Sequence, residues 1–214
     1  MSKDTASITG DIRAILFDLG NVLIDIDFDR CARYWSDRAG IPAKSLAARF
    51  RIDDAYRDFE CGRIEAPDYY ASLRRQLGIT LSDDTLREGW NTIIRNERAG
   101  IRACIGKLAG RYPLFILSNT NSEHEAVWRN RHRDLLAFFD NIFVSSRMGC
   151  RKPDSETYHK VASAIGQPCS RILFFDDTEE NVCAAQKCGM HAVHVATADT
   201  IARTVAPLLD EPGG

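Results

Sequence analysis

A chain of 214 residues with 44% hydrophobic and 27% charged side chains holds enough material for one core-bearing domain, or a core domain with a modest insertion. Its formal net charge of −2 supplies no basic footprint for nucleic acid and no polybasic patch for a membrane surface, and no apolar run approaches the length of a bilayer span. Seven cysteines without a C-x-x-C pair read as reduced thiols, so a cytoplasmic setting is expected.

Residues 1–11 are polar and read as a flexible leader. Ala14-Ile15-Leu16-Phe17 is a short apolar run, as a parallel strand covered on both faces requires. It ends in Asp18, and Gly20-Asn21 then break the strand. Asp18 is thereby set at a carboxyl end, where open α/β sheets place their ligands. Leu23 to Phe28 alternates apolar and acidic residues, the pattern of an exposed ribbon or flap. From there to about Arg98 no strand-like run occurs. Phe28, Cys31, Ala32 and Trp35 share one helix face, Ile41-Pro42 starts a second helix, and Asp53-Asp54 precedes a third that Cys61-Gly62 closes. Tyr69, Tyr70, Leu73 and Leu77 mark a fourth helix ended by Gly78, and Ser82 opens a fifth carrying Leu86, Trp90 and Ile93-Ile94.

Beyond that block helix and strand alternate. The strands are read at Leu114–Leu117, Ile142–Val144, Ile172–Phe175 and Ala192–Val195, with helix faces between them and a last helix from Thr200 to Leu209. The expected fold is α/β: a Rossmann-like, doubly wound parallel sheet with an inserted all-helical cap. Residues 12–28 and 98–210 form the core and 29–97 the cap.

Four strands end in polar groups: Asp18, Ser118-Asn119, Arg151-Lys152-Pro153 and Asp176-Asp177. In a parallel sheet these ends point one way and converge in one crevice. A carboxylate nucleophile, a hydroxyl, an ammonium and a further carboxylate form a complete set for phosphoryl transfer to an aspartate. Asp18 would attack phosphorus, Ser118 and nearby N–H groups would bind a phosphoryl oxygen, and Lys152 would offset the charge of both. Asp18, Asp177 and the backbone carbonyl of Gly20 would hold one Mg²⁺.

This order of motifs resembles the haloacid dehalogenase-like hydrolases, most of which are Mg²⁺-dependent phosphatases with an aspartyl-phosphate intermediate. Phe17-Asp18-Leu19-Gly20-Asn21-Val22, Ser118-Asn119-Thr120-Asn121, Arg151-Lys152-Pro153 and Phe174-Phe175-Asp176-Asp177 also resemble a bacterial group acting on α-D-glucose 1-phosphate and related sugar phosphates. The resemblance implies a small phosphomonoester as partner, no nucleic acid, no membrane, and a monomer or homodimer. The wider family carries an acid/base aspartate two positions after the nucleophile, where this chain has Gly20. Asp25 and Asp27 of the flap are the replacements to consider beside plain solvation. The resemblance also sets Glu60 and Gly62 where related caps send a specificity loop into the site; a simple interhelical turn explains them equally. Asp176 and Asn181 are expected to support Asp177, and Trp90 to be core. His191 and His194, three apart on a strand, are ordinary strand histidines. Cys150, beside Arg151, and Cys61 are expected to face the crevice as alkylation-sensitive thiols. Alternatives are a 2-haloacid dehalogenase, a phosphomutase and a non-catalytic phosphate-binding module. The acidic pair opposes the first, because a metal-free site gains nothing from added negative charge beside its nucleophile.

Overall fold

Parallel pairing on both sides puts the first strand in the middle of the sheet. The computed structural model describes residues 11–197 and 199–210. Residues 1–10 of the expected leader lie outside the described residues; Asp11 is ion-paired to Arg13 and Arg171. In chain order come β1 (Ala14–Phe17), β2 (Ile24–Ile26), α1 (Phe28–Ala39), α2 (Ala43–Arg49), α3 (Asp54–Glu60), α4 (Ala66–Leu77), α5 (Asp83–Asn91) and β3 (Ile94–Glu97). Then follow α6 (Ile101–Ala109), β4 (Leu114–Ser118), α7 (Ser122–Arg131), α8 (Arg133–Leu136), β5 (Asn141–Val144) and α9 (Ser145–Met148). The chain continues through α10 (Ser155–Ile165), β6 (Ile172–Asp176), α11 (Glu179–Lys187), β7 (His191–His194) and α12 (Thr200–Asp210).

The main sheet has the order β5-β4-β1-β6-β7, with every neighbouring pair parallel. The chain fills one side of β1 first and the other side later, so the strand order reverses at β1 and a crevice opens at its carboxyl end. Phe17 stands opposite Ile116 and Phe175, which brings Asp18, Ser118 and Asp176 out at the same edge. Side chains alternate between two apolar layers. Ile15, Phe17, Ile116 and Phe175 belong to one, and Leu16, Leu117, Ile172 and Phe174 to the other. Each such side chain, removed from water on a doubly covered sheet, contributes about 1.5–3 kcal/mol of burial free energy.

The five helices between β2 and β3 start and stop on local chemistry. Asp27, Asp53 and Ser82 accept N-terminal N–H groups of α1, α3 and α5, and Gly40 and Gly78 end α1 and α4 in the left-handed conformation. Trp90 is fully buried at the centre, stacked on Trp35 at 6.0 Å and on His124 of α7 at 4.9 Å. The segment 29–97 is not all helical, as the sequence suggested. The last helix stops at Asn91, and β3 pairs antiparallel with β2 to make a two-stranded ribbon. Ile94-Arg95-Asn96-Glu97 carries one apolar residue, too few to signal a strand; its partner β2, some 70 residues earlier in sequence, supplies the hydrogen bonds.

Candidate active site

Asp18 is buried at the end of β1, and its N–H donates to the Phe175 carbonyl at 2.7 Å, which ties it to β6. Two residues on, a Cβ at Gly20 would meet Ile26 Cγ1 at 3.0 Å, so the ribbon packs closely on the glycine. Asn21 takes a positive φ of 53°, and its Oδ1 accepts the Ile26 N–H at 3.1 Å.

Lys152 is the centre of the polar cluster. It is 1% exposed, and its Nζ donates to Asp18 Oδ1 at 2.5 Å and to Asp176 Oδ2 at 2.6 Å. Asn119, expected to bind phosphate, spends its amide on the Lys152 backbone. It accepts the Lys152 N–H at 2.9 Å and donates to the Lys152 carbonyl at 2.8 Å. Asp176 is fully buried and accepts from Thr178 N–H at 2.8 Å and Asn181 Nδ2 at 3.0 Å. It therefore anchors both Lys152 and the start of α11. Asp177 is left facing the crevice, with its carbonyl accepting from His194 Nε2 at 2.9 Å.

Two carboxyls share this one ammonium, with Asp177 nearby. Burial, opposed by Lys152 and reinforced by Asp176 and Asp177, pushes the Asp18 pKa up to about 7. Burial works to lower Lys152, but Asp176 and Asp18 outweigh it and hold the lysine above its ordinary value. The cluster is thus short of positive charge. No group of three His, Cys, Asp or Glu side chains among the described residues is arranged as a metal cage. What faces the cavity is the pair Asp18 and Asp177 with the Gly20 backbone. This all-oxygen set suits a hard cation that completes its shell with waters and phosphate oxygens, as Mg²⁺ does.

A cavity of about 400 Å³ joins Asp18, Gly20, Ser118, Asn119, Lys152, Asp177 and Asn181 to Glu60 at the end of α3. Glu60 is buried, accepts from Arg151 Nε at 2.9 Å, and has its pKa raised by burial against the pull of Arg151 and Tyr56. Ser145, which sequence reasoning missed, fastens the same turn to the core. Its Oγ lies 2.6 Å from the Glu60 carbonyl and accepts the Thr120 N–H at 2.9 Å. A lone serine after a strand carries no signal for such a role. Gly62 lies off the cavity, contrary to its expected part in binding: with φ of 66° it presses against the Ser146 carbonyl, where a Cβ would collide.

Other expectations fall out by geometry. Asp27 caps α1 and Asp25 faces Arg98 at 3.7 Å; neither lines the cavity. Cys61 and Cys150 are both buried and off the cavity, and burial raises the Cys61 thiol pKa, so the crevice holds no reactive thiol from this pair. All seven cysteines are free. His191 donates to the Ser170 carbonyl, an ordinary strand role, and Trp90 is core. No helix among the described residues is long and apolar enough to cross a membrane.

The chain is similar in sequence and fold to known proteins. The model of the haloacid dehalogenase-like hydrolases matches residues 12–189. A sesquiterpene phosphatase of Aspergillus oryzae is 28% identical over 86% of this chain and 89% of its own. D-ribitol-5-phosphate phosphatase of Bacteroides thetaiotaomicron is 22% identical over 83% and 89%. Among solved structures, a family enzyme from B. thetaiotaomicron in complex with magnesium and inorganic phosphate superposes with a TM-score of 0.74 at 25% identity, covering 86% of this chain and 93% of that one. A Porphyromonas gingivalis hydrolase reaches 0.77 at 27% identity, over 94% and 100%. With the doubly wound sheet and the strand-end residues in place, this chain belongs to the haloacid dehalogenase-like hydrolases.

Proposed function

We propose that the protein is a phosphoric monoester hydrolase that uses Asp18 as its nucleophile. The observation that carries this reading is the Asp18 carboxylate, held at 2.5 Å by Lys152 and opening onto a cavity shared with Ser118 and Asp177. An Asp18 oxygen bonds to phosphorus as the ester P–O bond breaks, and the departing alcohol takes a proton from solvent. Water then attacks the aspartyl phosphate, releasing inorganic phosphate and restoring the carboxylate. Lys152 offsets the charge of Asp18 and the phosphoryl group, while Ser118 and adjacent N–H groups orient a phosphoryl oxygen. Asp18, Asp177 and the Gly20 carbonyl would hold Mg²⁺, which would supply the positive charge the cluster lacks. Residues 29–97 act as a cap that shields the crevice from bulk water, with Glu60 and Arg151 at the junction.

The 2-haloacid dehalogenase and phosphomutase readings gain nothing specific. Three carboxyls around one lysine disfavour metal-free attack on carbon, and no carboxyl stands at Gly20 to activate a second hydroxyl. The activities named for the relatives span a sesquiterpene and a sugar alcohol phosphate, so the alcohol is not inherited from the family. Sugar phosphates such as glucose 1-phosphate are one class to test. The experiment is a phosphomonoester panel with Mg²⁺ and with chelator, on wild type and Asp18→Asn. Phosphate release should need Mg²⁺ and vanish in the folded variant. Retained turnover by folded Asp18→Asn excludes the mechanism.

A further inference from the structure

Beside the polar strand-end residues, the cavity carries an apolar strip on its lining. From the β2–β3 ribbon and the helical insertion it is lined by Ile24, Ile26, Phe28, Ile52, Ile93 and Ile94. Phe28 is 45% exposed and Ile52 52%, and they are two of only three large hydrophobic side chains so exposed among the described residues. Single exposed apolar residues need no explanation, but two on the rim of one cavity, continuous with a ribbon of isoleucines, do.

Several of the polar side chains that could read sugar hydroxyls are already engaged by the protein. Asn21 Oδ1 accepts from Ile26, and both amide atoms of Asn119 serve Lys152. His124 donates from Nε2 to the Trp90 carbonyl and meets Asn121 at Nδ1. Glu60 is taken by Arg151. Arg57, Thr178 and Glu180 on the lining are exposed to solvent, with Arg57 near Asp54 at 3.4 Å, and the buried Nε1 of Trp128 is a lining donor without a partner among the described residues. A sugar would therefore leave hydroxyls against isoleucine, whereas a hydrocarbon would replace water there at a gain.

We infer that the organic half of the substrate is an apolar alcohol, so that the preferred esters are monophosphates of aliphatic chains rather than of sugars. This rests on the phosphatase reading above. The 400 Å³ cavity, which also houses the phosphate, limits the chain to medium length.

The test is kcat/KM for n-alkyl phosphates from ethyl to decyl, below their micelle concentrations, beside glucose 1-phosphate. Calorimetric binding of the matching alkylphosphonates with Mg²⁺ runs in parallel. kcat/KM should rise about fourfold per methylene until the cavity is full, as burial of a methylene implies, and octyl phosphate should exceed glucose 1-phosphate more than tenfold. Ile52→Ser and Phe28→Ser, both at exposed positions, should each lower the octyl-to-ethyl ratio severalfold. Glucose 1-phosphate hydrolysed as well as octyl phosphate, or no dependence on chain length, overturns the inference and leaves the phosphatase standing. If no ester is turned over yet phosphonates tighten with chain length, the apolar subsite stands and the phosphatase reading falls.

Discussion

Gly20 settles a question of chemistry through packing. The ribbon residue Ile26 occupies the space a side chain at position 20 would need, and Asp25 and Asp27 are turned to other partners. On the phosphatase reading, with no carboxyl at position 20 to protonate the departing oxygen, the rate should depend on how well that oxygen leaves. A missing general acid is worth about 10²–10⁴-fold, roughly 3–5 kcal/mol of barrier. Across aryl phosphates of matched shape, log kcat/KM should rise steeply with leaving-group acidity; a flat plot with chemistry rate-limiting would mean another residue supplies the proton. His124 gives a second test. Burial lowers its pKa from 6.5 to about 4, so the folded state prefers the neutral ring. A depressed histidine contributes stability that is present above pH 6.5 and lost as pH falls toward 4, up to about 3 kcal/mol. The unfolding free energy of wild type minus that of His124→Gln should therefore shrink across that window, as urea denaturation at stepped pH will measure.

At the scale of elements, close approach decides which glycines are needed. Gly89 lies inside α5, where replacement by alanine in an exposed helix would add about 1 kcal/mol. Here a Cβ would run into the indole of Trp35 and the ring of Tyr34 on α1. Gly89→Ala should instead destabilise the protein, by about 1–3 kcal/mol for overpacking. The sign is the test, read from the urea midpoint. The same logic explains why α3 ends where it does. Cys61-Gly62 turns the chain sharply enough to lay the Glu60 carbonyl on Ser145 and its carboxylate on Arg151, joining insertion and core at the edge of the cavity.

For the whole molecule, the proposed cation at Asp18 and Asp177 would link folding to cation binding. A ligand that binds only the folded state stabilises it by about 2.7 kcal/mol at a hundred times its Kd. For a domain of this size that raises Tm by about 5–10 °C. Mg²⁺ should produce such a shift in wild type, and Asp177→Ala should lose most of it while keeping its metal-free Tm. An equal shift in both would remove Asp177 from the cation site.

The strands and the family were legible in the sequence because both are local. Buried parallel strands are continuous apolar runs, such as Leu114–Leu117 and Ile172–Phe175, and each ends in a polar residue, Ser118 and Asp176. Asp18, Ser118, Lys152 and Asp177 could be gathered into one crevice from strand direction alone. Tertiary structure decided everything that depends on a distant partner. It paired weakly patterned Ile94–Glu97 with β2, assigned Asn119 to the Lys152 backbone, buried Cys61 and Cys150, and drew Ser145 to Glu60. It also set isoleucines of the ribbon on the same cavity as Asp18. A side chain's neighbours across the fold are set by packing and register between segments far apart in sequence, and no local pattern encodes them.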